Sequence, residues 1–178
     1  MGVERATLRG NMEAELDFDA EATNSIRCAQ ELNYLPFLYV PRVIKACSSS
    51  RILTTEFIEG IKISDREKIK AAGLSVSDID RKLLRILSEH IFKTGFVHAD
   101  PHPGNLLVRK INDGCQIVLL DHGLYEELKK PVRESLAGLW VAIAEDDHYS
   151  MSLYSKELNV EDYRLFQWLL VKDTLLLD

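Results

Sequence analysis

Apolar residues recur at helical spacing from Met12 to Leu32, through Leu16, Phe18, Ala22, Ile26, Ala29 and Leu32, which predicts an amphipathic helix ending near Asn33. Two short β-branched and aromatic runs follow, residues 39–44 and 51–57. The polar stretch Cys47-Ser48-Ser49-Ser50 between them predicts a pair of strands joined by a loop, and Gly60 breaks the pattern. A second helix is predicted with Ser77 or Asp78 as its cap. Ile79, Leu83, Ile86, Leu87 and Ile91 form its apolar stripe, and Gly95 stands where a left-handed stop belongs. Two apolar runs, 106–108 and 117–120, flank Asn112-Asp113-Gly114 and predict a hairpin. Pro131 opens a helix with Leu136, Leu139, Trp140 and Ile143 on one face. Asn159 is expected to cap another, carrying Tyr163, Phe166 and Leu170.

Composition adds mainly exclusions. With 178 residues, 46% of them hydrophobic and 28% charged, the chain has the balance of an ordinary folded domain. A net charge of −6 without a Lys/Arg cluster argues against a sequence-independent nucleic-acid binder. The three cysteines form no C-x-x-C pair, so neither a zinc site nor a disulfide framework follows. No apolar run reaches the roughly 18 residues a membrane span needs.

The candidate chemistry lies between the second helix and the hairpin, and at the hairpin's end. His98-Ala99-Asp100-Pro101-His102-Pro103-Gly104-Asn105 concentrates polar groups in a loop stiffened by two prolines, and Asp121-His122-Gly123 closes the second apolar run. Phosphoryl transfer uses these parts in this order. One carboxylate orients the acceptor and takes its proton, while an Asn and a second carboxylate hold Mg²⁺ on the nucleotide phosphates. His98, Asp100 and Asn105 match the H-R-D-x-x-x-x-N spacing, and Asp121-His122-Gly123 stands in for D-F-G. Two other readings compete. One is a rigid turn whose histidines merely cap backbone groups; the other is a hydrolytic metal cluster of His98, Asp100 and His102, which leaves Asn105 and Asp121 unexplained. Glu15, Asp17 and Glu21 fall on the first predicted helix. Asp17 and Glu21 share a face, and from spacing alone a solvated acidic surface is the plainer reading.

These motifs, together with Glu15-Leu16-Asp17 and the run 53–60, resemble the UbiB-type, or aarF-domain-containing, atypical protein-kinase-like family. The Asp-His-Gly variant is similar to the family's animal mitochondrial branch. The resemblance implies an α+β protein-kinase-like fold. Residues 1–57 would be the remnant of an N-terminal lobe, and residues 58–178 the helical C-terminal lobe. It implies that Glu15 and Asp17 form the family's ExD motif, that Glu21 is the helix carboxylate, and that Glu56, Phe57 and Ile58 form the hinge facing adenine. Asp100 with His98 would be catalytic, and Asn105 and Asp121 metal ligands. ATP and Mg²⁺ are the implied cofactors, with a lipid or membrane-surface partner, no nucleic acid, and a mitochondrial setting in lipid or coenzyme Q homeostasis. The family's KxGQ helix, Ala-rich loop and strand lysine do not occur here. The first lysine of the chain is Lys45, so the sequence reads as a fragment or truncated form that is inactive by itself. The alternatives are a non-catalytic nucleotide- or lipid-binding module and a small-molecule phosphotransferase of the aminoglycoside- or choline-kinase type.

Overall fold

The computed structural model describes residues 17–112 and 114–164. They fall into two compact units that divide after Glu127.

In the first unit, helix α1 spans Phe18–Glu31 and ends at Leu32, close to the predicted boundary. Asp17 is not inside the helix. Its carboxylate caps the helix by accepting the N–H groups of Asp19 and Ala20 at 3.1 and 3.2 Å. Residues 12–16 of the predicted helix, Glu15 among them, lie outside the described residues.

The two predicted strands at 39–44 and 51–57 are mostly not strands. Only β1, Leu38–Tyr39, joins a sheet, pairing in parallel with Ile117 and Val118 of a later strand. The rest is a loose antiparallel excursion with single bridges at Val43–Thr55 and Ser49–Ile52 and a 3₁₀ turn at Lys45–Cys47. Local side-chain bonds displace the ladder. Ser48 Oγ donates to the Ile44 carbonyl and accepts from Thr54 N–H, both at 3.0 Å, and Thr54 Oγ1 donates to the Cys47 carbonyl.

Strand β2 (Ile61–Lys62) is followed by helix α2 (Arg66–Ala71), capped by Asp65 and too short to show a period in sequence. Helix α3 (Val76–Ser88) begins two residues earlier than predicted because Ser75 is the cap, its hydroxyl accepting Asp78 N–H. It runs into a π turn, Glu89–Thr94, that stops at Gly95 with φ 73°, the left-handed stop the sequence predicts. Strand β3 (Phe96–His98) pairs antiparallel with β6 (Tyr125–Glu127), bringing His98 opposite Tyr125. Between them lies the predicted hairpin, β4 (Leu106–Ile111) and β5 (Gly114–Leu119), in full register from Leu106–Leu119 to Ile111–Gly114. The four-stranded sheet has the order β1-β5-β4-β2. Its buried face, with Leu106, Val108, Ile117 and Leu119, packs on Cys28 and Leu32 of α1 and Ile79 and Ile86 of α3.

The second unit holds α4 (Lys130–Ala144), with Pro131 in its first turn as predicted, and α5 (His148–Glu157), which the sequence reading does not contain. They pack through Leu139, Ala142 and Met151. Asn159 has φ 59° and donates its N–H to the Lys156 carbonyl, so it stops α5 rather than capping a new helix. The next helical turn uses Asp162, which accepts Arg164 N–H; Phe166 and Leu170 lie outside the described residues. Among the described residues no helix is long and apolar enough to cross a membrane.

Candidate active site

The site is assembled at the ends of β3 and of the β4–β5 hairpin. Strand β3 delivers His98, whose side chain is buried with both ring nitrogens engaged. Nδ1 accepts the N–H of Asp100 at 3.2 Å, so Nε2 carries the proton and donates to the Asp121 carbonyl at 3.0 Å. Burial holds its pKa below the ordinary histidine value. One neutral imidazole therefore ties the start of the loop to the end of β5.

The loop then turns tightly. His102 Nδ1 accepts Gly104 N–H at 3.0 Å and caps the 3₁₀ turn Pro103–Asn105, and a Cβ at position 104 would press on that ring nitrogen at 2.9 Å. Asn105 accepts Leu120 N–H on its carbonyl at 3.0 Å. Its side-chain amide donates to Asp121 Oδ2 at 2.7 Å, while Gly123 N–H donates to Oδ1 at 2.9 Å. Both carboxylate oxygens are thus oriented.

Helix α1 contributes Glu21, whose Oε1 accepts His122 N–H at 3.3 Å. Partial burial raises its pKa, the His122 N–H opposes that, and the neighbouring Asp121 carboxylate raises it further. Glu21, His98, Asp100 and Asp121, with Phe18, Gly123 and Leu124, line an open cleft of about 380 Å³. No lysine or arginine is among those lining residues, so among the described residues the cleft gathers carboxylates without a lining countercharge.

The remaining expected site residues stand elsewhere. Asp17 caps α1 and does not line the cleft; Glu15 is outside the described residues. Glu56 accepts the Tyr39 hydroxyl at 2.6 Å, which chiefly holds its carboxyl below the usual range, and its backbone N–H donates to the Arg42 carbonyl. Phe57 is 86% exposed and Ile58 is buried. The hydrolytic cluster of His98, Asp100 and His102 fails, because His98 has no lone pair to spare. Among the described residues no group of three or more His, Cys, Asp or Glu side chains could hold a metal ion. Mg²⁺ fits what is present, since it takes one or two protein ligands and completes its octahedron with water and substrate phosphates. Asp121 and the Asn105 side-chain oxygen are the hard donors that would hold it.

Two residues at this site, Asn24 and Tyr125, escape sequence reasoning, and His122 is read there only as the middle of the Asp-His-Gly motif. Asn24 Nδ2 donates to the His122 carbonyl at 3.0 Å. His122 is itself buried, its Nε2 donating to the Leu119 carbonyl and its Nδ1 accepting the Tyr125 hydroxyl; burial pushes its pKa down to about 4. Tyr125 stacks on Phe96 with ring centroids 4.1 Å apart. The spacing of Asn24 one turn beyond Glu21 was a usable signal, but an Asn in a polar helix face reads as surface.

A His-x-Asp loop, an Asn bonded to a strand-end Asp, and a helix carboxylate reaching the Asp-His-Gly turn define a protein-kinase-like domain. The chain belongs to the ABC1 atypical kinase-like family, whose domain matches residues 4–155. It is 42% identical over 163 residues to the chicken (Gallus gallus) AarF domain-containing protein kinase 1, covering 90% of this chain and 31% of that one. It is 41% identical over 160 residues to the probable serine/threonine-protein kinase abkD of Dictyostelium discoideum, covering 88% and 23%. A solved structure, the Rv3197–erythromycin complex from Mycobacterium tuberculosis, has the same fold at a TM-score of 0.57 and 24% identity, covering 82% of this chain and 36% of that one. The chain therefore spans about a third or less of the relatives it matches.

Proposed function

We propose that this domain serves Mg²⁺·ATP binding and phosphoryl transfer or ATP hydrolysis in a longer protein. The observation that carries the reading is the joint held by His98, which links the Asp100 amide to the Asp121 carbonyl while Asn105 bonds the Asp121 carboxylate. In that reading Asp100, exposed at the cleft, accepts the proton of the attacking hydroxyl or water, and His98 positions it. Asp121 and Asn105 hold Mg²⁺, which when bound neutralises charge on the transferred phosphoryl group. Glu21 awaits a cationic partner. Glu15 and Asp17 act as the ExD motif, and the backbone of Glu56, Phe57 and Ile58 faces adenine. Residues 1–57 belong to the N-terminal lobe and 58–178 to the C-terminal lobe. The setting is mitochondrial lipid or coenzyme Q homeostasis, with a lipid or membrane surface as partner.

A second reading, a non-catalytic nucleotide- or lipid-binding module, draws on one observation. Glu21 faces Asp121 in a cleft without a lining cation, and no lysine precedes Glu21 in the chain. An upstream-extended protein separates the two. Mg²⁺-dependent ATP turnover abolished by Asp100→Asn supports catalysis; ATP binding with no turnover at any Mg²⁺ concentration supports the second. The 178-residue chain alone is expected to turn over ATP at least about a thousandfold more slowly than the extended one, since phosphoryl transfer rests on positioning and electrostatics.

A further inference from the structure

Helix α1 grips the Asp-His-Gly turn at two points. Glu21 Oε1 accepts the N–H of His122, and one turn later Asn24 Nδ2 donates to the carbonyl of the same residue. These two groups belong to the two peptide planes that immediately follow Asp121. The second plane also carries the Gly123 N–H, which donates to Asp121 Oδ1. Rotating it would withdraw the Asn24 bond and the Gly123 bond together. The His122 ring is anchored from the other side by the Leu119 carbonyl and the Tyr125 hydroxyl, so rotation of this plane is opposed by the Asn24 bond together with the Gly123 bond to Asp121, and Asn24 is the one of these that comes from another element. Glu21 is the weaker half of the grip. Its bond is longer, and its carboxylate is the group for which any cation in the cleft competes, whereas the Asn24 amide is neutral and has no such rival.

We propose that Asn24 is a positioning residue for Asp121: its amide holds the His122–Gly123 peptide so that Gly123 N–H and the Asn105 amide together aim the Asp121 carboxylate into the cleft. This rests on the reading of the cleft as a cation–nucleotide site. Groups that orient a metal-binding carboxylate through its hydrogen bonds commonly affect metal affinity by about 10- to 100-fold.

The test uses the 178-residue chain, with Mn²⁺ alone as probe, followed by paramagnetic resonance, and amide hydrogen exchange as a readout that needs no metal. In Asn24→Ala, Mn²⁺ affinity is expected to fall about tenfold. The His122 and Gly123 amides should exchange faster while those of Leu32 and Ile117 keep their protection. Asn24→Leu, similar in shape and uncharged but lacking the donor, should do the same and serves if the alanine variant is unstable. Exchange that is unchanged, or faster throughout the chain, overturns the proposal, as does unaltered Mn²⁺ affinity in a variant with loosened His122 and Gly123 amides. A wild-type chain that takes no Mn²⁺ overturns the cation reading; if the His122 and Gly123 amides still loosen in the variant, the hold of Asn24 on the turn stands without it, and if they do not, that hold is overturned as well.

Discussion

Asn105 and Asp121, sixteen residues apart in sequence, meet at 2.7 Å through the amide and a carboxylate oxygen. The β4–β5 hairpin makes this meeting unavoidable. Leu106 pairs with Leu119 and Leu120 donates its N–H to the Asn105 carbonyl, so Asp121, one residue further on, is brought beside Asn105 at the open end of the ladder. The register of six residue pairs therefore sets the geometry of the site, and the hairpin turn at its far end sets the register.

Removing the carboxylate should separate metal dependence from nucleotide affinity. In an upstream-extended protein, Asp121→Ala is expected to abolish the Mg²⁺ enhancement of ATP binding, leaving whatever weak metal-free binding exists. Calorimetric titration with and without Mg²⁺ checks this. Equal Mg²⁺·ATP affinity in variant and wild type would remove Asp121 from the metal site.

Asp100 is expected to influence kcat far more than KM. It is exposed at the cleft and bonded through its amide rather than its carboxylate. Asp100→Asn should lower kcat by about 10²- to 10⁴-fold, the usual range for loss of a general base, with ATP affinity within a few-fold of wild type. Steady-state kinetics beside a binding titration distinguishes this from a loss of folding.

The fold should weaken in mild acid. His90, His98 and His122 are all held below the ordinary histidine value of 6.5, chiefly by burial, His122 to about 4. A group whose folded pKa is depressed binds its proton more readily in the unfolded chain. Its contribution is thus fully present above pH 6.5 and is lost as pH falls toward 4. For His122 alone the loss is about 3 kcal/mol by the linkage relation. Urea midpoints should drop between pH 7 and pH 4.5. His90→Gln, which can still donate to the Phe96 carbonyl that His90 meets at 2.7 Å, should show a smaller drop.

Gly138→Ala tests whether packing overrides propensity. In an exposed helix the exchange would stabilise by roughly 1 kcal/mol. Here a Cβ would collide with the ring of Tyr154 on α5, reached by three ring atoms rather than a flexible tip. A net destabilisation of about 1–3 kcal/mol is expected, within the range for overpacked cores. A raised melting temperature would show that α5 yields freely.

Much of the site was legible because its parts are local. The Asp100-to-Asn105 loop, the Asp113-Gly114 hairpin signal and the Gly95 stop each depend on residues within one turn, and chain connectivity carries Asp121 to Asn105 once the hairpin is recognised. The strands expected at 39–44 and 51–57 failed for an equally local reason that residue types alone conceal: the Ser48 and Thr54 hydroxyls bond backbone groups that a ladder would otherwise use. Asn159 has the residue type of a cap, yet its left-handed backbone ends the helix before it. What only the tertiary structure decided are relationships across long separations. Asn24 and Glu21 reach His122 over 98 and 101 residues, and His98 is neutral and fully engaged because β3 places it against the Asp121 carbonyl. Side-chain chemistry and turn geometry are properties of short segments and can be read there. Burial and the pairing of a buried donor with its acceptor depend on which segments pack together, and no single segment holds that information.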